Sequence, residues 1–134
     1  MKNLIKGPDH MAFSVTDLDA MVHFYHEILG LELLKAEDYR AGKFPFMSVK
    51  ADRMLIDLIP LKEAPTTAEG RQRLNHICLR LDEAHSLADV KTYLAENNIA
   101  VTGESKSNWG AFGLGPSIYI NDPEGNSVEL KTYP

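Results

Sequence analysis

Residues 74–81, LNHICLRL, alternate between two kinds of side chain. The odd positions are mostly apolar and end in Leu79 and Leu81, whereas the even positions include His76, Cys78 and Arg80. Strict alternation over such a stretch predicts a β-strand, because successive side chains of a strand point to opposite faces. One face is therefore expected to pack in a core, while the other presents an imidazole, a thiol and a guanidinium.

The first half of the chain predicts the order strand, helix, strand, strand, strand. DHMAFSV (9–15) alternates as a strand does, and LDAMVHFYHEIL (18–29) repeats apolar residues at helical spacing. A cap for this helix is available in Thr16 or Asp17, and Gly30 is suited to end it. Three strands are then predicted in LELLKAEDYR, KFPFMSVK and RMLIDLIPL.

The second half repeats the same order. LNHICLRLD predicts a strand, EAHSLADVKTYLAEN a helix, and IAVTGESKS, PSIYIND and NSVELKTY three further strands. The glycine-rich SNWGAFGLGP (107–116) is expected to be a loop that covers the cup, within a pocket-lining loop at 103–116, and DPEGN (122–126) has the chemistry of a hairpin turn.

Setting His10 against His76 places DHMAFSVTDL over NHICLRLDEA, so the chain contains an internal repeat. We therefore predict an α+β fold in which one domain, residues 1–134, consists of two βαβββ modules. The modules are expected at about 5–61 and 73–133, joined by a loop at 62–72. Because one module alone would expose a sheet face, the two are expected to pair into a cupped mixed sheet, within one chain or between two.

Composition narrows the class of protein. The 134 residues are 44% hydrophobic and 25% charged, with a net charge of −5 and no basic block, so nucleic acid is not an expected partner. A single cysteine excludes an internal disulfide and fits a reducing compartment. No apolar run approaches a membrane span and the N-terminal residues lack the apolar core of a signal peptide, so we expect a cytoplasmic protein without membrane contact.

The repeat places polar residues in matching positions. His10 matches His76 on the first strand of each module, and Asp57 matches Glu129 on the last strand. Alternation puts all four on the face opposite the helix-packing core. Two imidazoles with one or two carboxylates suit a divalent metal ion such as zinc, nickel, manganese, cobalt or iron. Each residue alone is more often structural, and Asp57, which is one methylene shorter than a glutamate, is the weakest ligand of the set.

Other side chains are candidates around such a metal. Tyr119 alternates onto the same face as Glu129 and either orients a substrate, acts as an acid or simply packs. Cys78 is expected to be a wall of the pocket rather than a ligand. Substrate contacts are predicted for Trp109, Phe46, Arg80 and Lys131, and Phe112 accompanies Trp109 in the predicted loop.

Three stretches carry a resemblance to a known family: DHMAFSVTDLDAMVHFYHEILGLEL, LNHICLRLD and SIYINDPEGNSVELKTY. They are similar to the vicinal oxygen chelate superfamily, which includes glyoxalase I, bleomycin-resistance proteins, extradiol dioxygenases, fosfomycin-resistance enzymes and methylmalonyl-CoA epimerase. The resemblance implies paired βαβββ modules and one divalent metal held by His10, His76 and Glu129. In glyoxalase I a fourth ligand, a glutamate, stands where this chain has Asp57.

The resemblance also implies an assembly and a chemistry. Small members pair their modules across a homodimer, so His10 is expected from one chain and His76 with Glu129 from the other. The expected activity is that of a glyoxalase (lactoylglutathione lyase-like) enzyme, whose metal chelates two oxygens of a small substrate and stabilises an enediolate-like anion. Glu129 is then also a candidate base that detaches from the metal.

Three alternatives remain open at the level of sequence. An iron-dependent extradiol dioxygenase would use the same ligands, with Tyr119 beside the iron. A fosfomycin-type transferase is similar in SIYINDPEGN, although such enzymes place a basic residue beyond the last strand, where this sequence has only Tyr133 and Pro134. A metal-free drug-binding protein of the bleomycin-resistance type is the third, and the complete ligand set argues against it. Fold alone does not decide among them.

Overall fold

The structure, a computed structural model, describes residues 1–28, 30–63, 74–121 and 127–134. The chain divides into two compact units, one of residues 1–10 with 76–134 and one of residues 11–75. Most of the predicted connection 62–72, the predicted turn at 122–126 and Leu29 lie outside the described residues.

Helices and strands follow one another in a regular order along the described residues. They are β1 (Ile5–Val15), α1 (Leu18–Val22), β2 (Glu32–Leu34), α2 (Ala36–Arg40), β3 (Met47–Ala51), β4 (Met54–Pro60), β5 (Leu74–Leu81), α3 (Leu87–Glu96), β6 (Val101–Gly110), β7 (Gly113–Asn121) and β8 (Ser127–Lys131). None of the described helices has the length and apolar character needed to span a membrane.

In the unit that contains residues 76–134, strands follow the order β1-β5-β8-β7-β6. β5 runs parallel to β8, whereas β7 runs antiparallel to both β6 and β8, so the sheet is mixed. Helix α3 begins at Ser86, whose Oγ accepts a hydrogen bond from the backbone N–H of Asp89 at 3.1 Å. Its apolar side packs on the strands, and the buried cluster consists of Leu81, Val90, Leu94, Ile118 and Leu130.

In the unit of residues 11–75, strands follow the order β2-β3-β4-β1, with antiparallel pairing of β2 with β3 and of β3 with β4. Asp17 caps α1 as predicted, accepting from the N–H of Ala20 at 3.0 Å. The predicted glycine stop is also confirmed, because Gly30 has a φ of 72°. Buried apolar side chains of this unit include Ala12, Val15, Val49, Leu55 and Leu58.

The predicted α+β class is confirmed, and the repeat is visible in the strand orders β2-β3-β4-β1 and β6-β7-β8-β5. One strand prediction was wrong in the first half, and the predicted first helix is present with a change of helix type. LELLKAEDYR forms only the short strand β2, because Lys35 has a φ of 68°, which a strand does not accommodate, and α2 follows. The first helix is α-helical only through Val22 and continues as a π-helical turn, His23–Ile28.

The predicted loop 103–116 was also wrong. β6 and β7 pair through Trp109 with Leu114 and Gly110 with Gly113, which leaves only residues 111 and 112 in the turn. A shift of register between Ser105 and Asn108 breaks the alternation of β6. This irregularity, together with the glycines, gave the segment the pattern of a loop.

Candidate metal centre

In the middle of β5, the even positions 76 and 78 carry the buried side chains. Cys78 is fully buried and His76 is only 8% exposed, whereas the apolar Ile77 between them is 36% exposed. The face that carries the imidazole and the thiol is therefore not a solvent face. It is the floor of a polar site inside the first unit.

Three ligand-type atoms meet in this site. The Nε2 atoms of His10 and His76 lie 2.9 Å apart. The Oε2 atom of Glu129 lies 3.1 Å from the His10 nitrogen and 3.0 Å from the His76 nitrogen. All three belong to the same chain, so one chain can assemble the cluster by itself, and the expected division of these ligands between two chains stays a prediction.

The spacing of these atoms tests whether a metal ion fits. Ligand atoms at right angles around an ion, each about 2.1 Å from it, are about 3.0 Å apart, whereas tetrahedral ligands are about 3.4 Å apart. The observed separations, 2.9 to 3.1 Å, match the first case. The cluster therefore fits the facial arrangement of two histidines and one carboxylate, which leaves coordination positions open to a substrate.

Asp9 holds the ring of His10. Its Oδ1 accepts a hydrogen bond from His10 Nδ1 at 2.6 Å and another from the N–H of Ala111 at 3.1 Å, while its Oδ2 accepts from the hydroxyl of Tyr133. Because a carboxylate only accepts, the ring proton of His10 sits on Nδ1. Its Nε2 is therefore the ring nitrogen that faces the cluster, where a metal ion would take the place of a proton.

Electrostatics around the cluster favour positive charge at its centre. Burial opposes the charged form of His10, but Asp9, Cys78 and Glu129 raise the pKa of its imidazole to about 12. Burial likewise opposes ionisation of Glu129, yet hydrogen bonds from His10 and His76 hold the pKa of this carboxyl below its ordinary value. The surroundings therefore keep Glu129 ionised, as a metal ligand must be.

Asn108 connects Glu129 to Tyr119. Its Nδ2, with two N–H donors, lies within hydrogen-bond distance of three oxygens: the Tyr119 hydroxyl at 3.0 Å, the Oε1 of Glu129 at 3.2 Å and the Oγ of Ser117 at 2.9 Å. The ring of Tyr119 lies edge-on to His76, with centroids 5.7 Å apart. Burial and the neighbouring Glu129 raise the pKa of the Tyr119 phenol, so it is protonated and able to donate. The structure thus brings Tyr119 to the cluster.

Lys131 has a different environment from the one predicted. It is fully buried, and its Nζ donates to the carbonyl oxygens of Asn108 at 2.6 Å and Gly115 at 2.9 Å. The predicted contact between Lys131 and a substrate is therefore corrected: the ammonium group ties the β6–β7 hairpin to β8.

Cys78 completes a second group of possible ligand atoms with Asp9 and His10, all within 4.8 Å of one another. Burial raises the pKa of its thiol to about 12, so the sulfur is a neutral thiol in a closed environment. This favours the predicted role of a pocket wall.

Three other predicted residues are described by their own surroundings. Asp57 belongs to the second unit, where it is buried and accepts a hydrogen bond from Ser48 Oγ at 2.6 Å, and its role as a ligand stays a prediction. Phe46 precedes β3 in the same unit, with its ring 4.7 Å from that of Phe44. In the first unit, Trp109 lies within β6 rather than in a loop.

Three residues of the site escaped sequence reasoning. Alternation assigns Asp9 and His10 to opposite faces, so it cannot anticipate that their side chains touch. Asn108 follows the irregular part of β6, and Tyr133 lies beyond the end of β8. The one available signal was the acid directly before a candidate histidine ligand, since such ligands commonly donate their second ring N–H to a carboxylate.

Comparison with known proteins extends these findings. A family model described as the glyoxalase/bleomycin resistance protein/dioxygenase superfamily matches residues 7–130. The chain is 25% identical over 131 residues to virulence protein STM3117 of Salmonella typhimurium, covering 97% of this chain and 86% of that one. It is 26% identical over 125 residues to a probable lactoylglutathione lyase of Synechocystis, covering 90% and 91%. The Mn(II)-bound glyoxalase from Novosphingobium aromaticivorans shares the fold, with a TM-score of 0.70 at 18% identity, over 96% of this chain and 39% of that one.

Proposed function

Because the chain belongs to the glyoxalase/bleomycin resistance protein/dioxygenase superfamily, we propose that it is a metal-dependent enzyme of the lactoylglutathione lyase type. Members of this superfamily are mostly enzymes, and the similarity to a probable lactoylglutathione lyase supports this reaction class. The observation that carries the proposal is the buried triangle of ligand atoms from His10, His76 and Glu129. Binders that work without a metal have no use for such a set.

His10, His76 and Glu129 would hold a divalent ion, which would supply a Lewis acid for two neighbouring oxygens of a small substrate and for the anion formed on loss of a carbon-bound proton. Asp9 fixes the His10 ring, and Asn108 holds the outer oxygen of Glu129. The phenol of Tyr119 is placed to donate a hydrogen bond to a substrate oxygen. Burial of the ligands excludes bulk water and strengthens these interactions.

Metal analysis of protein purified without a histidine tag tests the site. We expect about one divalent ion per chain, and we expect His76→Ala to remove it, because two ligands bind far more weakly than three. The matched control is His23→Ala, which alters an exposed histidine paired with Glu27. Absence of metal from the wild type after incubation with manganese, nickel, cobalt, zinc or iron, or its retention by His76→Ala, would contradict the proposal.

A turnover assay then tests the reaction class. Protein loaded with each metal is expected to form lactoylglutathione or to isomerise a related small adduct, without consuming oxygen. The activity should disappear in His76→Ala and persist in His23→Ala.

An extradiol ring-cleaving dioxygenase is the second candidate. The facial spacing of the ligand atoms favours it, because two histidines and one carboxylate with open positions are also the ligands of non-haem iron oxygenases. Oxygen uptake with Fe²⁺ and a panel of catechols separates the two, since the lyase reaction consumes no oxygen.

The remaining alternatives have less support. A fosfomycin-type transferase needs positive charge open to its substrate, whereas Lys131 is buried on backbone carbonyls. A metal-free drug binder leaves the ligand cluster without a purpose. We also propose a cytoplasmic homodimer, for which light scattering of the purified protein is the test of assembly.

A further inference from the structure

We propose that Arg80 and Phe112 form a second binding site, which takes a small molecule carrying a carboxylate or phosphate group. The site is a cleft of about 370 Å³ in the first unit. Its lining includes Arg80, Asp82, His85, Phe112, Thr132 and Tyr133. A cleft of this size falls in the range of small-molecule sites. None of the three clustered ligands lines it, although Tyr133 lines it and also donates to Asp9 beside His10.

Arg80 is held in place but lacks an acceptor. The carbon of its guanidinium lies 4.2 Å from the centroid of the Phe112 ring, which fixes the plane of the group by a cation–π contact. Its Nε is buried and has no hydrogen-bond partner among the described residues. Buried donors are almost always satisfied in native proteins, so an orphaned one calls for a missing partner.

The acids near this cleft are committed to other groups. Asp82 and Glu83 both pair with Lys6, at 3.5 Å and 3.6 Å, and Asp82 also accepts from the N–H of Ala84. Within the part of the chain that the structure describes, no carboxylate forms an ion pair with Arg80. The guanidinium is therefore open to an external anion.

The surroundings narrow the kind of anion. A guanidinium binds carboxylate and phosphate oxygens in pairs, because its N–H groups form a planar fork. Phe112 is 47% exposed, which offers a flat apolar surface beside the charge. The acidic Asp82 and Glu83 at the same cleft disfavour ligands that carry more than one anionic group. These features together fit a compact molecule with one anionic group and an apolar, preferably aromatic, part.

Calorimetric titration of the full chain with benzoate, phenyl phosphate and uncharged benzamide tests the site. Benzoate or phenyl phosphate should bind and benzamide should not. The anion with the higher affinity shows whether the site prefers a carboxylate or a phosphate group. We expect Arg80→Gln to weaken binding by about tenfold or more, Arg80→Lys by less, and Phe112→Leu by several-fold. The control is Arg53→Gln, which changes an exposed arginine in the turn between β3 and β4.

Two results would overturn the proposal. One is failure of both anions to bind the wild type at millimolar concentration. The other is equal binding to the wild type and to a folded Arg80→Gln protein, with folding checked by circular dichroism and by metal content. Since metal content is measured on the same samples, loss of the anion site and loss of the metal site are distinguishable.

Discussion

Replacing Asp9 by asparagine tests how the protein prepares His10 for a metal. The substitution removes one negative charge and keeps the shape of the side chain. An asparagine oxygen can still accept from His10 Nδ1 and from the N–H of Ala111, and its amide group can donate to the oxygen of Tyr133. The contacts are retained, so the effect isolates the charge.

The magnitude follows from the kind of hydrogen bond. The bond between His10 and Asp9 is short, 2.6 Å, and fully buried, as expected for a charge-assisted pair. Hydrogen bonds to charged groups contribute about 1.5–3 kcal/mol and neutral ones about 0.5–1.5 kcal/mol, so the exchange loses about 1–2 kcal/mol. A metal on Nε2 makes the Nδ1–H a stronger donor than it is in the neutral ring, so relative to that form the charge of Asp9 stabilises the metal-bound state.

We therefore expect Asp9→Asn to weaken metal binding by about 5- to 30-fold, measured by competition with a chelator of known affinity. Asp9→Ala should weaken it further and should also lower the free energy of unfolding without metal, because it leaves buried donors without an acceptor. The control is Asp38→Asn on α2, an exposed carboxylate 3.8 Å from Lys35. Metal affinity of Asp9→Asn within twofold of the wild type would refute the reasoning.

Two further substitutions test the packing around this site. Gly110→Ala should destabilise the protein by about 1–3 kcal/mol in urea denaturation and weaken metal binding, because the new Cβ would lie within 2.6 Å of Asp9, Lys131 and Tyr133. The control is Gly7→Ala, whose new Cβ would have nothing within 4 Å. Equal stability of the two variants would contradict the tight contact at Gly110. Ser86→Ala should cost about 1 kcal/mol, measured the same way, because it removes the cap of α3; no measurable change would show that the cap contributes nothing.

The ligands of the candidate metal centre could be predicted from sequence because they follow two simple periodicities. The internal repeat pairs His10 with His76, and alternation places His76 and Glu129 on one face of neighbouring strands. Residue 129 lies in register with Cys78 across the parallel β5–β8 pair. Strand geometry alone therefore predicts most of their positions, without knowledge of any tertiary contact.

The residues that support these ligands could not be predicted in the same way. Asp9 reaches His10 against the alternation of β1, and Asn108 reaches Glu129 only after the shift of register in β6. For Lys131, alternation predicted a position near the site and a contact with substrate. It could not show that the ammonium group donates its hydrogen bonds to backbone carbonyls instead. Such contacts depend on how segments that are distant in sequence pack together, and the local periodicity of the sequence carries no information about this packing.

The buried charges of the first unit set the net charge that a bound divalent ion would leave in the cluster. Asp9 and Glu129 are buried carboxylates, and Lys131 is a buried ammonium, so these three leave one negative charge in excess. A proton on His10, whose pKa is raised to about 12, neutralises it. A divalent ion in place of that proton leaves one positive charge in excess, and an uncompensated buried charge is costly. Under the proposed function, the group that removes this excess most directly is an oxygen anion of the substrate, which is the species that a lyase of this type has to stabilise.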